Sequence, residues 1–515
     1  MTTSLPTQQA SVSERVGARG WWALAVLMLP VLLVSVDNTV LNFALPAISE
    51  DLTPSGTQLL WMIDIYPLVL AGLLVSMGSL GDRIGRRRLL LIGSAGFGVV
   101  SLIAAFAPTI ELLITARAIL GFFGAMLMPS TLSLIRNIFT DRDQRRLAIA
   151  VWASGFAAGS ALGPIIGGLL LEQLWWGSVF LIAVPVLLPL LVFAPVLVPE
   201  SRDPNPGRLD PVSIVLSLGT MLPLVYGIKH AATEGLDVLA VACIAAGVVA
   251  GVLFVRRQFR VESPMLDMAL FRIPQFSGAI VVNLFSVIAL VGGLFFVTQH
   301  LQLVLGLSPL AAGFALVPGL LTMIVAGLVI VPIAARVRPT IVIPVALAFS
   351  ALGYGAIALT GGDVSANGIA LCFVALGLGI GSAETVSNEL VLAHAPAAKA
   401  GAASAVSETA YELGAVLGTA TLGTILTASY RNAVVVPDGL TGEQSRAAAE
   451  TLGGAVAVAA ELPAEIGARL LDSARVAFDS GVGLAAWVGF ALIVAAGVVG
   501  ALSLRNVRGS GEAAQ

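Results

Sequence analysis

The sequence predicts an all-α membrane protein with fourteen transmembrane helices. Hydrophobic residues make up 57% of its 515 residues and charged residues only 11%, whereas soluble domains carry roughly 25% charged residues. The sequence contains fourteen apolar stretches, each close in length to the roughly 20 residues that a helix needs to cross the hydrocarbon core. Arginines recur in alternate loops between these stretches. Together these observations predict a multi-pass membrane protein.

Each predicted helix is an apolar run of spanning length between polar or turn-forming residues. The first run follows the polar residues 1–20. Because no small-residue cleavage site follows it, we interpret it as a helix and not as a cleaved signal peptide. The fourteen predicted starts lie near Trp21, Gln58, Leu89, Glu111, Leu147, Ser178, Pro211, Leu236, Ser277, Leu310, Thr340, Asn367, Gly401 and Ser480.

Loop charge predicts the orientation of these helices. Loops after even-numbered helices are rich in arginine, and loops after odd-numbered helices carry acidic residues. The positive-inside rule then places both termini in the cytoplasm, and the regular alternation favours an even number of helices. The arginines are Arg83, Arg86, Arg87, Arg88, Arg142, Arg145, Arg146, Arg256, Arg257, Arg260, Arg336 and Arg338, and the acidic residues are Glu50, Asp51, Glu172, Glu234 and Asp363.

Two polar segments interrupt the helices. One is the charged, proline-rich linker PESRDPNPGRLD, and the other is residues 431–479, which are too polar to span a membrane. The second segment has an alanine-rich run broken at Pro463, which predicts two short amphipathic helices capping the outer mouth; a disordered loop is the alternative. The predicted units are 1–198 with six helices, 199–265 with the linker and two further helices, and 266–515 with six helices and the insertion.

Four ionisable residues lie within predicted membrane helices: Asp37, Asp64, Arg117 and Glu408. A charge at the centre of a membrane helix costs at least about 2.5–3.5 kcal/mol. We therefore expect these side chains to face a polar cavity, and such residues mark ion or substrate paths. Glu412 lies one turn beyond Glu408 on the same helix face.

The turn between the second and third helices carries the motif GSLGDRIGRRR at residues 78–88. Its glycines permit a tight turn and close helix approach, and its aspartate can pair with an arginine or a helix N-terminus. Such a pair can hold one conformer and break in another; a plain positive-inside anchor is the alternative for the arginines. The motif resembles the cytoplasmic signature of the major facilitator superfamily, G-x-L-[AG]-D-R-x-G-R-[RK]-[RK]. The predicted gating residues in this turn are Gly78, Asp82, Arg83, Gly85 and Arg86.

The fourth and fifth helices carry two further patterns. LITARAILG at residues 113–121 resembles the superfamily's membrane-buried arginine motif, and GSALGPIIGG at residues 159–168 resembles the antiporter motif of its exporters. Small residues four apart let helices pack backbone to backbone, and an internal proline makes a kink or pivot. Packing alone is the alternative for a single pair of glycines. The predicted gating residues on the fifth helix are Gly159, Gly163, Pro164, Gly167 and Gly168.

DNTVLNFALP at residues 37–46 resembles the first-helix motif of the fourteen-helix drug:proton antiporters. The helix count, the linker pair and all these motifs fall in order, so the resemblance covers nearly the whole chain. It implies a major facilitator fold of two six-helix bundles plus two linker helices. It also implies proton-driven export of lipophilic organic cations, such as quaternary ammonium compounds, antiseptics and dyes. The tenth helix, about residues 310–333, lacks the carboxylate of some relatives, which speaks against divalent cations.

The depth of the buried charges suggests their roles. At a rise of 1.5 Å per residue, Asp37, Asp64 and Arg117 reach a similar depth in the outer half of the membrane. Burial favours the protonated form of a carboxylate, whereas a nearby arginine favours the ionised form. A conformational change can therefore load and release a proton. We predict Asp37 and Arg117 as the proton-coupling pair; a static structural ion pair is the alternative.

Cation recognition is expected at the remaining carboxylates. Asp64 and Glu408 come from opposite bundles, which suits a cationic substrate held between them, with aromatic or methionine surface completing the contact. We predict Asp64, Glu408 and Glu412 as substrate-binding residues. A structural hydrogen bond is an equally open interpretation of Glu412.

Other cargoes and other classes of protein are alternatives to this interpretation. The same fold could export an endogenous metabolite, antibiotic, peptide or lipid. An ATP-driven pump is disfavoured because neither Lys229 nor Lys399 lies in a G-x-x-x-x-G-K-[ST] loop, and no catalytic triad or metal-ligand cluster predicts an enzyme. We expect a monomer in a bacterial inner membrane that meets small-molecule drugs, protons and lipid, without cofactor, metal or nucleic acid. Three isolated histidines, His230, His300 and His394, are predicted to be solvated helix tips.

Overall fold

The computed structural model describes residues 16–202, 210–233, 235–261, 264–360, 364–394 and 400–505. Within these ranges, fourteen helices are long and apolar enough to cross a membrane, which confirms the predicted number and the all-helical class. Some residues used in the sequence analysis lie outside the described ranges, namely Glu234, Asp363, Lys399 and residues 203–209 of the proline-rich linker.

The first six spans form the first bundle, and the next two form the linker pair. The first bundle comprises α1 (Ala18–Leu52), α2 (Gly56–Ile84), α3 (Arg86–Ala105), α4 (Ile110–Ile138), α5 (Arg142–Gln173) and α6 (Ser178–Leu197). The linker pair comprises α7 (Pro211–Thr233) and α8 (Val238–Gln258).

The second bundle contains six further spans and two short helices. It comprises α9 (Pro274–Val304), α10 (Pro309–Ala334), α11 (Pro339–Thr360), α12 (Ala366–His394), α13 (Ala400–Gly418, continued through a π turn at Thr419–Gly423 to Thr424–Ala433), the short α14 (Gly442–Glu450) and α15 (Leu452–Glu461), and α16 (Ala464–Ser503).

Local capping sets several helix starts. Ser55 and Gln58 form a reciprocal capping box before α2, in which the Ser55 hydroxyl accepts from the Gln58 backbone N–H at 3.2 Å. This arrangement satisfies two backbone donors that a helix start leaves free. The Asp141 carboxylate accepts from the backbone N–H of Gln144 at 3.0 Å, so α5 begins at Arg142, earlier than the predicted Leu147. The apolar run alone did not reveal this polar first turn.

The segment after α13 differs from its prediction. Both short helices, α14 and α15, precede Pro463, and α16 runs without a break from Ala464 through the predicted start at Ser480. Pro463 stands at the N-cap of α16, where its missing N–H costs no helical hydrogen bond. No proline follows within α16, so the polar turns and the membrane span form one helix. The Tyr430 hydroxyl donates to the carbonyl of Ala448 at 2.8 Å and fixes α14 against α13.

The two bundles meet at the end of the molecule that carries α14 and α15, which we call the insertion end. There α5 packs against α10, and α2 packs against α13. A Cβ placed on Gly423 of α13 would lie 2.7 Å from Cδ2 of Leu60 on α2. The opposite end carries the turn between α2 and α3 with its arginines, and we call it the basic end.

The linker helices pack mainly on each other, and α7 also packs on α2 and α13. Asp210 fixes the pair at the basic end, because its carboxylate accepts from Arg257 Nε and Nη2 at 2.8 and 2.7 Å. It also accepts from the Ser213 backbone N–H at 3.2 Å and so caps α7. The hydrogen bonds from Arg257 hold the pKa of Asp210 well below its ordinary value of 3.8.

Candidate transport site and its gates

Asp37 and Arg117 form an ion pair inside the first bundle. Nη1 of Arg117 lies 2.6 Å from Oδ2 of Asp37, and only 2% and 8% of the two side chains are exposed. Nε of Arg117 also donates to the Met62 carbonyl at 3.3 Å, and the guanidinium lies 4.4 Å from the centre of the Tyr66 ring. The helices α1, α2 and α4 therefore share one buried charge cluster, at the common depth that the sequence predicted. Its part in proton coupling stays a prediction.

Asp64 has a partner that sequence reasoning missed. Nζ of Lys229 on α7 lies 2.6 Å from Oδ2 of Asp64, and both side chains are completely shielded from solvent. The Lys229 ammonium also lies 4.8 Å from the centre of the Trp61 ring. In the sequence analysis, Lys229 is considered only as a nucleotide-loop residue. A lysine inside the apolar run of α7 was the available signal, because such a charge needs a buried partner.

The second bundle contributes a cluster of carboxylates. Glu412 is buried and lies within electrostatic range of Glu408 one turn away. Arg136 on α4 lies within electrostatic range of Glu408, so the opposite bundle offers this carboxylate a cation. Glu384 on α12 also belongs to this cluster, since Tyr411 lies within range of both Glu384 and Glu412.

Sequence reasoning missed Glu384, although it satisfies the criterion used for the other carboxylates. It lies inside the apolar span α12, and its Oε1 is buried without a hydrogen-bond partner among the described residues. The same holds for Oε2 of Glu412. Buried polar atoms are normally satisfied, so both carboxylates are suited to a ligand, a water molecule or a proton.

Tyr66 lies near both charge clusters. Its side chain is fully buried on α2 and lies within electrostatic range of Asp37, Arg117 and Glu412. Its hydroxyl has no hydrogen-bond partner among the described residues. The cluster of the first bundle and that of the second bundle therefore approach the same phenol group.

At the basic end, two residues of the predicted gating turn form an ion pair with each other. Nη2 of Arg86 lies 2.7 Å from Oδ1 of Asp82, and the Arg86 backbone N–H donates to the Ser201 carbonyl at 2.9 Å. Gly85 has φ +109° between α2 and α3, a conformation that favours glycine. Close packing does not require glycine at position 78, because a Cβ on Gly78 would lie at an ordinary van der Waals distance of 3.5 Å from Pro129. Arg83 lies in the same turn.

The glycines of α5 permit close packing on α1. A Cβ on Gly159 would lie 2.6 Å from Cβ of Ser35, and one on Gly167 would lie 2.7 Å from Cγ2 of Val40. Between them, a Cβ on Gly163 would overlap the hydroxyl of Thr39. These three glycines, spaced by four residues, form one helix face.

The neighbouring positions of α5 face the second bundle. A Cβ on Gly168 would lie 2.5 Å from Cα of Leu310, and a Cβ on Gly313 would lie 2.6 Å from the carbonyl oxygen of Pro164. The helix α5 therefore lies between α1 and α10, and the predicted motif forms part of the contact between the bundles at the insertion end.

The histidines, predicted to be solvated helix tips, differ in their exposure to solvent. His300 is not a solvated tip, because it is buried and its Nδ1 lies 3.0 Å from Oδ1 of Asp479 on α16. The α9 and α16 helices pack together there and exclude solvent. His230 is partly exposed and pairs with Asp237 at 3.0 Å. Among the residues that the structure describes, no group of three or more metal-ligating side chains comes together.

Two helical bundles meeting around buried intramembrane charges, with small-residue contacts between them, are the architecture of a membrane transporter. The chain belongs to the Major Facilitator Superfamily, whose family model matches residues 27–419. As a member of this family of transporters, it is a multi-pass membrane protein and not an enzyme.

Curated relatives match the chain over most of its length. The "Multidrug efflux pump LfrA" of Mycolicibacterium smegmatis is 61% identical over 96% of this chain and 98% of the relative. The "Methyl viologen resistance protein SmvA" of Salmonella typhimurium is 38% identical over 89% of this chain and 93% of the relative. The "Tetracenomycin C resistance and export protein" of Streptomyces glaucescens is 34% identical over 94% of this chain and 92% of the relative.

Solved structures share the fold at low sequence identity. A bacterial homolog of the human lysosomal transporter Spinster, in an inward-facing conformation, superposes with a TM-score of 0.64 at 18% identity. The match covers 95% of this chain and 97% of that chain. At this identity the likeness supports the fold alone.

Proposed function

We propose that this protein exports drugs from the cell in exchange for protons, and that lipophilic organic cations are its main cargo. Drug export is supported by the 61% identity to a protein named as a multidrug efflux pump. A cationic cargo is supported by the 38% identity to a methyl viologen resistance protein, since methyl viologen is a quaternary dipyridinium compound.

The observation that carries the proposal is the presence of two buried charge clusters that approach each other at Tyr66. Asp37 is held by Arg117 in the first bundle, whereas Glu412 in the second has an oxygen without a hydrogen-bond partner in the described part of the chain. We assign the proton to Asp37, because a buried carboxylate in general takes up a proton more readily when a neighbouring arginine moves away. A purely structural ion pair is the competing interpretation.

We assign cationic cargo to Glu408 and Glu412, with Asp64 as a further carboxylate. Tyr411 is partly exposed beside Glu412 and offers an aromatic face to a cation. Glu384 adds a carboxylate to the same region, so this chain does not need an acidic residue on α10 to meet a second positive charge. We therefore include divalent organic cations in the proposed cargo.

We place the basic end in the cytoplasm, with both termini on that side of a bacterial inner membrane. The arginine-rich turns support this orientation through the positive-inside rule. The insertion end then faces outward. In this scheme the Asp82–Arg86 turn gates the inner side, and the contact of α5 with α10 gates the outer side.

A second candidate cargo is a natural antibiotic. The 34% identity to a tetracenomycin C resistance and export protein favours it. Such a cargo would use the same fold and the same gates, and the charge of the cargo separates the two candidates.

The experiment is transport into vesicles under an imposed pH gradient, with a cation, a zwitterion and an anion as cargo. We expect uphill movement of the cation that stops when a protonophore collapses the gradient and that persists without ATP. Protein-free vesicles and vesicles with Asp37→Asn protein are the controls. Uphill transport that survives the protonophore and stops on ATP removal contradicts proton coupling. Uphill transport of the zwitterion or anion without the cation contradicts the cargo class.

A further inference from the structure

The buried ion pair between Lys229 and Asp64 joins a linker helix to the first bundle. We propose that Lys229 is an internal counter-cation, which occupies Asp64 in this conformation and withholds that carboxylate from cationic cargo. Lys229 is then a specificity-determining residue contributed by α7. The inference rests on the proposed function, because it concerns the cargo of the same transporter.

The surroundings of Lys229 are those that an organic cation would need. Its ammonium lies 2.6 Å from a carboxylate oxygen of Asp64 and 4.8 Å from the centre of the Trp61 ring. A carboxylate together with an aromatic face is the usual receptor for a positively charged nitrogen. Lys229 therefore fills, from within the chain, a site of the chemistry that cationic cargo requires.

The pair lies where the three parts of the protein meet. Asp64 is on α2, Lys229 is on α7, and Thr419 at the π turn of α13 lies near Asp64. The close contact between α2 and α13, at Leu60 and Gly423, is one turn away along each helix. Because that contact joins the two bundles, any separation of α2 from α13 changes the surroundings of the pair.

Stability alone is a weak reason for this ion pair. A buried ion pair often stabilises a fold no more than an apolar pair of the same volume, whereas removal of one partner leaves an uncompensated charge. An ionic contact differs from an apolar one because another cation or a proton can replace one partner. Lys229 therefore makes the availability of Asp64 depend on conformation.

The buried ion pair of Arg117 and Asp37 does not depend on conformation in this way. Arg117 and Asp37 both belong to the first bundle, and Arg117 is held further by the carbonyl of Met62. That pair stays within one bundle when the bundles separate. The pair of Lys229 and Asp64 instead connects the first bundle to a linker helix that also touches the second bundle.

The test measures transport of ethidium, a permanent monocation, into vesicles that contain the full-length protein. The KM and the maximal rate of this transport are compared between the unsubstituted protein and four variants. The variants are Lys229→Met, Lys229→Arg, Asp64→Asn and the double variant Lys229→Met/Asp64→Asn. His230→Gln is the matched control, because His230 is the next residue on α7 and its partner Asp237 belongs to the linker itself.

We expect Lys229→Met to lower the KM of ethidium by about threefold or more, since the freed Asp64 attracts the cation, while the maximal rate falls. Lys229→Arg and His230→Gln should keep the KM of the unsubstituted protein. A merely structural Lys229 would reduce the amount of active protein without lowering KM. An unchanged or raised KM in folded Lys229→Met protein overturns the inference.

The double variant guards against misfolding of Lys229→Met, because it leaves no unpaired charge. Asp64→Asn alone leaves Lys229 as a repelling cation, so its ethidium KM should exceed that of the double variant by about threefold or more. Equal KM values in these two variants overturn the inference about Lys229 and leave the proposed function intact. Absence of ethidium transport by the unsubstituted protein overturns the proposed cargo, and the inference with it.

Discussion

Gly168 of the first bundle and Leu310 of the second approach so closely that a Cβ on Gly168 would lie 2.5 Å from the Leu310 Cα. Such a Cβ would meet the backbone of Leu310, which cannot move aside as a flexible side chain can. The contact between α5 and α10 at the insertion end therefore depends on glycine at this position. It is a direct physical link between the motif on α5 and the closed contact of the two bundles.

Gly168→Ala should weaken the closed insertion end. The added methyl group cannot fit against the Leu310 backbone, and overpacking of this kind costs about 1–3 kcal/mol. We expect spin-label distances between the bundles at this end to lengthen and transport to fall. Gly98→Ala on α3 is the matched control, because nothing lies within 4 Å of a Cβ there. Unchanged distances in the Gly168→Ala protein would contradict this account.

Asp37→Asn should abolish uphill transport of every cargo while leaving measurable binding. The substitution removes the titratable group and leaves Arg117 buried without its anion, at a cost of about 3–5 kcal/mol in stability. Thermal unfolding, equilibrium binding and vesicle transport measure the three effects. Glu172→Gln, an exposed acid at the end of α5, is the control. Retained uphill transport by Asp37→Asn would remove Asp37 from proton coupling.

Glu408→Gln should reduce the affinity for cations about tenfold and leave uncharged cargo unaffected. The physical reason is that loss of one carboxylate weakens only a charged partner. The loss of affinity is measured from the binding of a monovalent and a divalent drug at two pH values. The divalent drug should lose more affinity than the monovalent one. Glu389→Gln on the exposed side of α12 is the control. Equal losses for charged and uncharged cargo would show that Glu408 acts through the fold.

Asp82→Asn should slow transport at nearly normal substrate affinity. The Asp82–Arg86 pair is partly exposed, and such pairs contribute at most about 1 kcal/mol to stability. Glu408 and Glu412 lie on α13, and Asp64 lies about 27 Å from Asp82 along α2 at 1.5 Å per residue. Binding should therefore persist while the gating turn loses its pair. Initial rates and binding constants separate the two effects, with Glu111→Gln at the insertion end as control. Full transport by the folded variant would count against the gate.

Asp210→Ser should lower stability above about pH 4 by about 1 kcal/mol or less. Serine can still cap α7, but it cannot accept both hydrogen bonds from Arg257. Because the folded-state pKa of Asp210 lies below 3.8, its contribution is complete above that value and is lost as the pH falls further. Thermal unfolding should show the same gap to the unsubstituted protein at pH 7 and pH 5, and a smaller gap at pH 3. A gap that widens toward pH 3 has the wrong sign for this pair.

Much of the fold could be predicted because a bilayer imposes length and composition on each helix. The fourteen spans follow from those two quantities, and the common depth of Asp37 and Arg117 follows from the rise of a helix. The start of α16 could not be predicted in this way. Hydropathy marks where a span becomes apolar and not where its backbone begins, and α16 begins at Ala464, well before the apolar run.

The candidate site was predicted only in part, for a related reason. Depth along a helix says nothing about which helix lies beside it, so Asp64 was assigned without Lys229, its partner on α7. The position of the linker pair against α2 follows from tertiary packing, which one sequence does not disclose. Glu384 is a different case, since a carboxylate inside the apolar span α12 can be recognised from the sequence alone.

The length of α16 has a mechanical consequence. Its 40 residues extend about 60 Å at 1.5 Å per residue, whereas the hydrocarbon core is about 30 Å thick. About half of the helix therefore extends as a stiff arm beyond the hydrocarbon core at the insertion end, where it packs against α15. A tilt of the second bundle by about 10° would sweep the tip of such an arm through about 5 Å. A fluorophore on this arm would thus act as a pointer that magnifies small rotations of the buried helices into distances that single-molecule optics can follow.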